Sequence, residues 1–199
     1  GELQRLARAA ELDARSLLGT LGYFSATVAV QVRSASSPLQ NQRLVLVSVQ
    51  PGAATVVSEV AIAFAGAAER LPQAGSQRDA IRRSWSLGAG TRFTQARWDD
   101  AKAQALRQLA AQHFPMARIG TSRADIDPET RTARLSLTLD SGPAYQFGVL
   151  QVEGLKRFEA SLVERIAQVR DGESCGVRGA IQCGVHVRHS VRRHDVPPR

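Results

Sequence analysis

Cysteine and histidine, the residue types with the widest chemical repertoire, gather near the end of the chain. The set comprises Cys175, Cys183, His186, His189 and His194. Both types bind zinc, but the spacing from Cys183 to His186 and His189 is unlike that of zinc fingers, and no helix or hairpin pattern frames it. We therefore predict an irregular basic tail over 173–199 without a metal site. A Cys175–Cys183 disulfide in an oxidising compartment stays open as an alternative.

The acidic residues in the rest of the chain favour structural roles over acid–base chemistry. Asp99 and Asp100 are adjacent, so on a helix they point in different directions, which suits the charge preference of a helix N-terminus. Asp125 and Asp127 come just before Pro128 and indicate a hairpin turn. No glycine-rich loop of the kind that cradles phosphate occurs. We therefore expect no enzymatic activity, no cofactor and no small-molecule substrate.

Charge and hydropathy bound the remaining classes. The formal net charge is +8, and arginine contacts phosphate well, so a basic nucleic-acid-binding α+β domain is the main alternative function. The charges are spread, however, which favours a solvated surface and predicts no nucleic-acid partner. No apolar run reaches the length of about 18 residues that a membrane-spanning helix needs. The chain opens in a helical pattern without an initiator methionine, which suggests that it was trimmed.

One arrangement of elements occurs twice along the chain, and such internal repeats organise a fold. Tyr23, Gly52 and Gly66 in the first copy correspond to Phe114, Gly142 and Gly154 in the second. Apolar residues recur every three or four positions before each aromatic residue, as on one face of a helix: Leu3, Leu6, Ala10, Ala14, Leu17 and Leu21 in the first copy, then Trp98, Ala101, Ala105 and Leu109 in the second. Thr94 is a good N-cap for the second of these helices.

Strict alternation predicts the strands, because every second residue of a strand faces the same side. The alternating apolar sets are Val28, Val30 and Val32; Val60, Ile62 and Phe64; and Leu135, Leu137 and Leu139. The run 117–126 alternates poorly and is predicted as a strand only by analogy with the first copy. A further helix is predicted before Gly88 from the capping-box pattern at 76–79.

These elements predict an α+β fold of tandem strand–helix–helix–strand–strand units, each a small sheet with two helices packed on one face. The first unit, about 1–52, is incomplete. The second, about 55–141, is complete. A third begins at 144–172.

Three stretches carry a resemblance to a known family. They are 17–24, which ends in Gly22-Tyr23-Phe24; the helix entry Arg92-Phe93-Thr94 with Trp98 and Lys102; and the join 137–148 followed by Val152-Glu153-Gly154. Together they resemble the POTRA domains of the outer-membrane assembly superfamily, most closely those of the translocation and assembly module subunit TamA, a relative of BamA. The resemblance covers roughly residues 1–172.

The resemblance implies a non-enzymatic periplasmic module that helps to assemble outer-membrane β-barrel and autotransporter proteins. Its partners would be outer-membrane protein clients and the subunits of an assembly complex. An exposed sheet edge offers unpaired N–H and C=O groups to which a client segment adds as a strand. We expect such edges at Thr27, Ala29 and Gln31 in the first unit and at Ile119, Thr121 and Arg123 in the second. The inter-unit joins Pro51-Gly52 and Gly142-Pro143 would space the units.

The family pattern stops near residue 172, where a reading-frame shift or a premature truncation is indicated. The β-barrel that would follow such units, and attach them to the outer membrane, is then missing. A non-functional remnant of a disrupted assembly gene is therefore a second alternative. Because a partial unit exposes half of its core, we expect both ends to be less stable than the middle.

Overall fold

The computed structural model describes residues 2–34, 43–151 and 188–193, which form helices and short strands. The helices are α1 (Glu2–Thr20), α2 (Ala67–Arg70), α3 (Gly75–Arg83) and α4 (Gln95–Ala110), with a 3₁₀ turn at Pro72–Ala74. The strands are β1 (Thr27–Ser34), β2 (Arg43–Gln50), β3 (Val56–Ala65), β4 (Arg118–Asp127), β5 (Thr132–Asp140), β6 (Tyr145–Gln151) and β7 (Arg188–Arg193). The predicted α+β class is confirmed.

The strands form three small sheets. β1 pairs with β2 in antiparallel fashion, β5 lies between β3 and β4, and β6 pairs with β7 in antiparallel fashion. In the three-stranded sheet, the Val56 N–H donates to Arg131 O at one end of β3, and Ser141 N–H donates to Ala65 O at the other. Like ends of β3 and β5 therefore meet, so this pair is parallel. The run from β3 through α3, α4 and β4 to β5 follows the predicted strand–helix–helix–strand–strand order.

Two compact units divide the chain: Gly1–Val60 with Ser86–Ala101 and Ala124–Leu135, and Ala61–Trp85 with Lys102–Arg123 and Ser136–Arg199. Each has its own buried apolar residues. In the first they are Val28, Val57, Leu87, Phe93, Trp98, Ala101, Ala133 and Leu135. In the second they are Phe64, Ala68, Ala74, Ile81, Ala105, Leu109, Phe114, Leu137, Leu139 and Ala144.

Helix α1 ends where the sequence indicates, at Gly22. The Tyr23 N–H donates to Leu18 O (2.9 Å) and the Gly22 N–H donates to Gly19 O (2.9 Å), the two bonds of a Schellman motif. Gly22 has φ of 88°, and a Cβ there would lie 2.1 Å from Phe93 O. Only glycine fits this position, because a side chain would collide with main chain that has no room to move.

The other local signals are mixed. The predicted N-cap of α4 is present, since the Arg97 N–H donates to Thr94 Oγ1 (3.2 Å). The predicted hairpin turn is also present, because Asp127 Oδ1 accepts the N–H groups of Glu129 and Thr130. The capping box at 76–79 is wrong: α3 begins at Gly75 with no side-chain cap and ends at Arg83, before Gly88.

The tail needs a correction at one point. The predicted irregular segment 173–199 contains β7, which pairs with β6 from Tyr145 opposite Arg193 to Gln151 opposite Arg188. Mainly polar and charged residues make up β7, so no apolar alternation marks it as a strand. The backbone of His189 lies in β7. Cys175, Cys183, His186 and His194 lie outside the described residues, as does most of the predicted third unit after Gln151.

Candidate strand-addition edges and joins

The edge of β1 that faces away from β2 is already engaged by helix α1. The Val30 N–H donates to Glu11 Oε1 (2.7 Å), and Arg15 Nη2 donates to Val28 O (3.1 Å). In a strand, the main-chain groups of every second residue point to the same edge. Val28 and Val30 therefore share one edge, and two side chains one helical turn apart hold it.

The same alternation fixes the β1–β2 ladder. Ala29 lies opposite Ser48 and Gln31 lies opposite Leu46, and these pairs exchange the main-chain bonds because Val28 and Val30 point the other way. The main-chain groups of Thr27, Ala29 and Gln31 thus face β2. The groups on the outer side of β1 belong to Val28 and Val30, and strand addition at Thr27, Ala29 and Gln31 stays a prediction.

One edge of the three-stranded sheet is formed by β4, on which Ile119, Thr121 and Arg123 lie, and the other edge is formed by β3. Among the described residues, β5 is the strand that pairs with β4, and none lies on its other side. The burial pattern explains the poor alternation of the sequence: most of β4 is exposed, with Ile119, Ala124 and Ile126 only half-buried. An edge strand without a buried face has no reason to alternate.

Charged side chains tie β4 to β5. Arg118 donates from Nη2 (2.8 Å) and Nε (3.1 Å) to Asp140 Oδ2. The Gly142 N–H, which donates to the Asp140 carboxylate, and then the Arg118 guanidinium hold the pKa of Asp140 below its ordinary value. The pKa of Asp127 is lowered as well, first by the Thr130 hydroxyl and then by main-chain N–H groups of the turn.

The join after β5 is held by buried hydrogen bonds. Ser141 is fully buried; its Oγ accepts from the Ala68 N–H (2.8 Å) and donates to Ala65 O (3.1 Å). Gly142 O accepts from the Ala67 N–H (2.9 Å). Gly66 has φ of 78°, and a Cβ there would lie 2.8 Å from Ser141 Oγ. These hydrogen bonds fix the main chain in a corner at Ser141, directly before the predicted join at Gly142-Pro143.

The join after β2 is more open. Pro51 and Gly52 are exposed. Fixed bonds resume only at Thr55, whose N–H donates to Gly22 O (2.8 Å) and whose C=O accepts from the Phe93 N–H (2.9 Å). Arg92 adds to this contact, since its Nη2 donates to Leu21 O (2.9 Å) and its guanidinium lies 4.6 Å from the centre of the Tyr23 ring.

Sequence reasoning missed Glu11 and Arg15. An acid and a base four residues apart on a helix normally indicate a surface ion pair, and nothing in the sequence shows that a strand edge lies within their reach. The helix that carries them is amphipathic in sequence, yet it contributes no buried residue. Only the structure brings these two side chains to β1.

The described residues offer little for ligand chemistry. They contain no group of three metal-ligating side chains. A cavity of about 350 Å³ lies between α3 and α4 and is lined by Ser76, Gln77, Ala80, Ile81, Ser84, Gln108, Ala111 and Gln112, none of them charged. No helix of the described residues has the length and apolarity needed to cross a membrane.

Comparison with known proteins gives a likeness to solved structures alone. No protein-family model and no curated protein matches the chain. POTRA domains 3–5 of BamA from Haemophilus influenzae align over 80% of this chain and 59% of that one, at 16% identity and a TM-score of 0.45. BamA from Haemophilus ducreyi lacking POTRA domains 1–3 aligns over 73% and 25%, at 16% identity and a TM-score of 0.40. The chain thus spans less than two thirds of either structure, and at these scores the likeness decides neither family nor function.

Proposed function

We propose that the chain is a non-enzymatic periplasmic module that aids the assembly or insertion of outer-membrane β-barrel or autotransporter proteins. It would bind client segments by strand addition at the edge strand β4. The observation that carries this proposal is the position of β4, which within the described residues pairs with β5 alone. An edge strand of this kind offers main-chain donors and acceptors to any extended segment.

The chemistry of β4 suits a client rather than a second copy of itself. Arg118, Arg123, Asp125 and Asp127 lie on a strand of ten residues, and charges on an edge strand oppose pairing between identical chains. Main-chain pairing needs no particular client sequence, which suits a factor that handles many proteins. Side-chain specificity would come from half-buried Ile119 and its neighbours.

The sequence resemblance supports a more specific assignment. The Gly22-Tyr23-Phe24 stretch ends α1, and the 137–148 stretch contains the fixed corner at Ser141. We propose a TamA-like role at the periplasmic side of the outer membrane, with assembly-complex subunits as partners. The proposed units are an incomplete first one over 1–52, a complete one over 55–141 and the start of a third from 144 to 172.

Two proline variants on adjacent residues test strand addition at β4. Successive N–H groups point to opposite edges, so one of Thr121→Pro and Ser122→Pro removes a bond to β5 and the other removes only an outward donor. A fluorescent peptide with the alternating apolar pattern of a barrel strand serves as the client, and polarisation reports its binding. We expect the variant with the unchanged unfolding temperature to bind roughly tenfold more weakly. If that variant binds like the wild type, β4 is not the client site.

The net charge of +8 favours one alternative, binding of nucleic acid. That function predicts an affinity for duplex DNA that falls linearly with salt concentration on logarithmic axes. Titration of labelled duplex DNA at two salt concentrations decides between strand addition and nucleic-acid binding. Tight, salt-dependent DNA binding together with no peptide binding would replace strand addition by this alternative.

A further inference from the structure

The contact between α1 and β1 has the chemistry of a bound strand. A strand that adds to the outer edge of β1 must supply one donor for Val28 O and one acceptor for the Val30 N–H. The Arg15 guanidinium is that donor at 3.1 Å, and the Glu11 carboxylate is that acceptor at 2.7 Å. Two side chains of one helix therefore occupy two of the main-chain groups that a client would use.

From this match we infer that Glu11 and Arg15 form an intramolecular gate, meaning that they block the outer edge of β1 until they move. A client strand must displace both side chains to bind β1. The inference rests on strand addition as the proposed function and adds its regulation. The two edges then differ: among the described residues β4 has no strand on its outer side, whereas β1 would bind a client only when α1 moves.

The way α1 is held makes such movement feasible. None of its residues is buried, and Leu3, Leu6, Leu12 and Leu17 are each about half exposed or more. Little apolar surface of α1 itself is therefore returned to water when its first turns leave β1. The C-terminal end is fixed instead, by the Gly22 contact with Phe93 and by the Arg92 bond to Leu21 O. The N-terminal part of the helix can thus move away from β1 while its C-terminal end keeps its attachment.

A closed gate lowers the affinity of β1 for a client strand. A site that is available only in a fraction of the molecules binds more weakly by that same fraction. Removal of both gate side chains should therefore raise the affinity of β1 for a strand peptide while the affinity of β4 stays constant.

The test compares two double variants of α1 that remove the same charges. Glu11→Ala with Arg15→Ala removes the gate. Glu2→Ala with Arg5→Ala removes an ion pair of 2.7 Å whose side chains are both 72% exposed, on the same helix and with the same change in charge. Both are made in the full chain that carries the fold-preserving proline on β4, so that binding reports on β1. Circular dichroism checks that the helix is retained.

Amide exchange of Val30 N–H in the absence of any client gives the first readout. We expect it to quicken by roughly tenfold in the gate variant and to stay constant in the control. Binding of the fluorescent strand peptide gives the second, with a rise of at least about threefold in the gate variant alone. Unchanged exchange overturns the gate. A second result also overturns the gate: Val30 exchange becomes faster in the gate variant, the wild-type chain binds the peptide at β4, and yet the gate variant binds the peptide no more tightly than the control.

The same data separate the two proposals. A peptide that fails to bind the wild-type chain counts against strand addition, whereas Val30 exchange reports on the gate without a client. If the double variant loses its helix, Glu11→Gln and Arg15→Ala replace it. The Gln amide oxygen still accepts a hydrogen bond, so Glu11→Gln should stay closed and Arg15→Ala should open. Equal exchange in these two variants contradicts the gate.

Discussion

The hairpins β1–β2 and β4–β5 occupy equivalent places in the two copies of the repeat, yet only the second hairpin buries the alternating apolar face of its second strand. Leu135 and Leu137 of β5 are 2% exposed, whereas their counterparts Val45 and Val47 of β2 are 54% and 53% exposed. Val47 lies opposite Val30 in the β1–β2 pair. Both strands alternate, but alternation specifies a face and does not by itself bury it.

The neighbours of the strand make the difference. β5 lies between β4 and β3, and the helices α3 and α4 each contribute buried residues of their own. In the described residues β2 has β1 as its sole strand partner. Among the described residues, no strand equivalent to β3 pairs within the β1–β2 sheet, and the β2 valines are half exposed.

The largest expected effect comes from removing a core side chain in each hairpin. Leu137→Ala should destabilise the chain by about 2–5 kcal/mol, because it leaves a cavity in place of a buried side chain. Val47→Ala should change stability by less than about 0.5 kcal/mol, because half of that side chain already contacts water. Urea denaturation followed by circular dichroism measures both. Equal losses would show that β2 is packed as well as β5.

A smaller difference is expected at the joins. Ser141→Ala leaves the buried Ala68 N–H without its acceptor and should cost about 1–3 kcal/mol. The equivalent residue of the first join is Pro51, which is exposed, and Pro51→Ala should stay within about 0.5 kcal/mol. Thermal unfolding of the two variants gives the comparison. If Ser141→Ala lowers stability no more than Pro51→Ala does, the join at Gly142-Pro143 is held as loosely as the join at Pro51-Gly52.

The smallest effect is electrostatic and depends on pH. The pKa of Asp140 lies below its ordinary value of 3.8, so its ionised form stabilises the fold above that pH, and this contribution is lost as the pH falls through the lowered pKa. Asp140→Asn lacks the charge. The wild type should therefore exceed the variant in unfolding temperature near neutral pH, and the two should converge toward about pH 2.

Gln50 provides the control for that experiment. It occupies the equivalent place at the end of β2 and does not titrate, so Gln50→Ala should run parallel to the wild type across the same pH range. If the wild type still unfolds at a higher temperature than Asp140→Asn in strong acid, the stabilising effect of Asp140 is not electrostatic.

Sequence reasoning succeeded where one residue type determines the local geometry. Gly22 ends α1, Thr94 begins α4 and Asp127 forms the turn before β5, each through a contact that its own chemistry requires. Reasoning from pattern was weakest where exposure removes the pattern. The sequences of β4 and β7 show no apolar alternation, and most residues of β4 are exposed, so that strand has no buried face to encode.

The candidate site was less predictable than the fold. The edge to which the main-chain groups of Val28 and Val30 point depends on the β1–β2 register. Glu11 and Arg15 depend on the angle at which α1 crosses β1. Both properties arise from tertiary packing, and no local spacing records them.

The parallel pairing of β3 with β5 has a consequence for the order in which the chain folds. Ser58 and Ala133, which this pairing brings together, are 75 residues apart. At about 5–20 residues per second, synthesis of β5 follows that of β3 by roughly 4–15 seconds, whereas a hairpin forms in about 1–10 microseconds. During that interval Ile62 and Phe64 stand on a strand without its partner. The nascent chain therefore passes through an aggregation-prone stage, which ends only when the β4–β5 hairpin arrives.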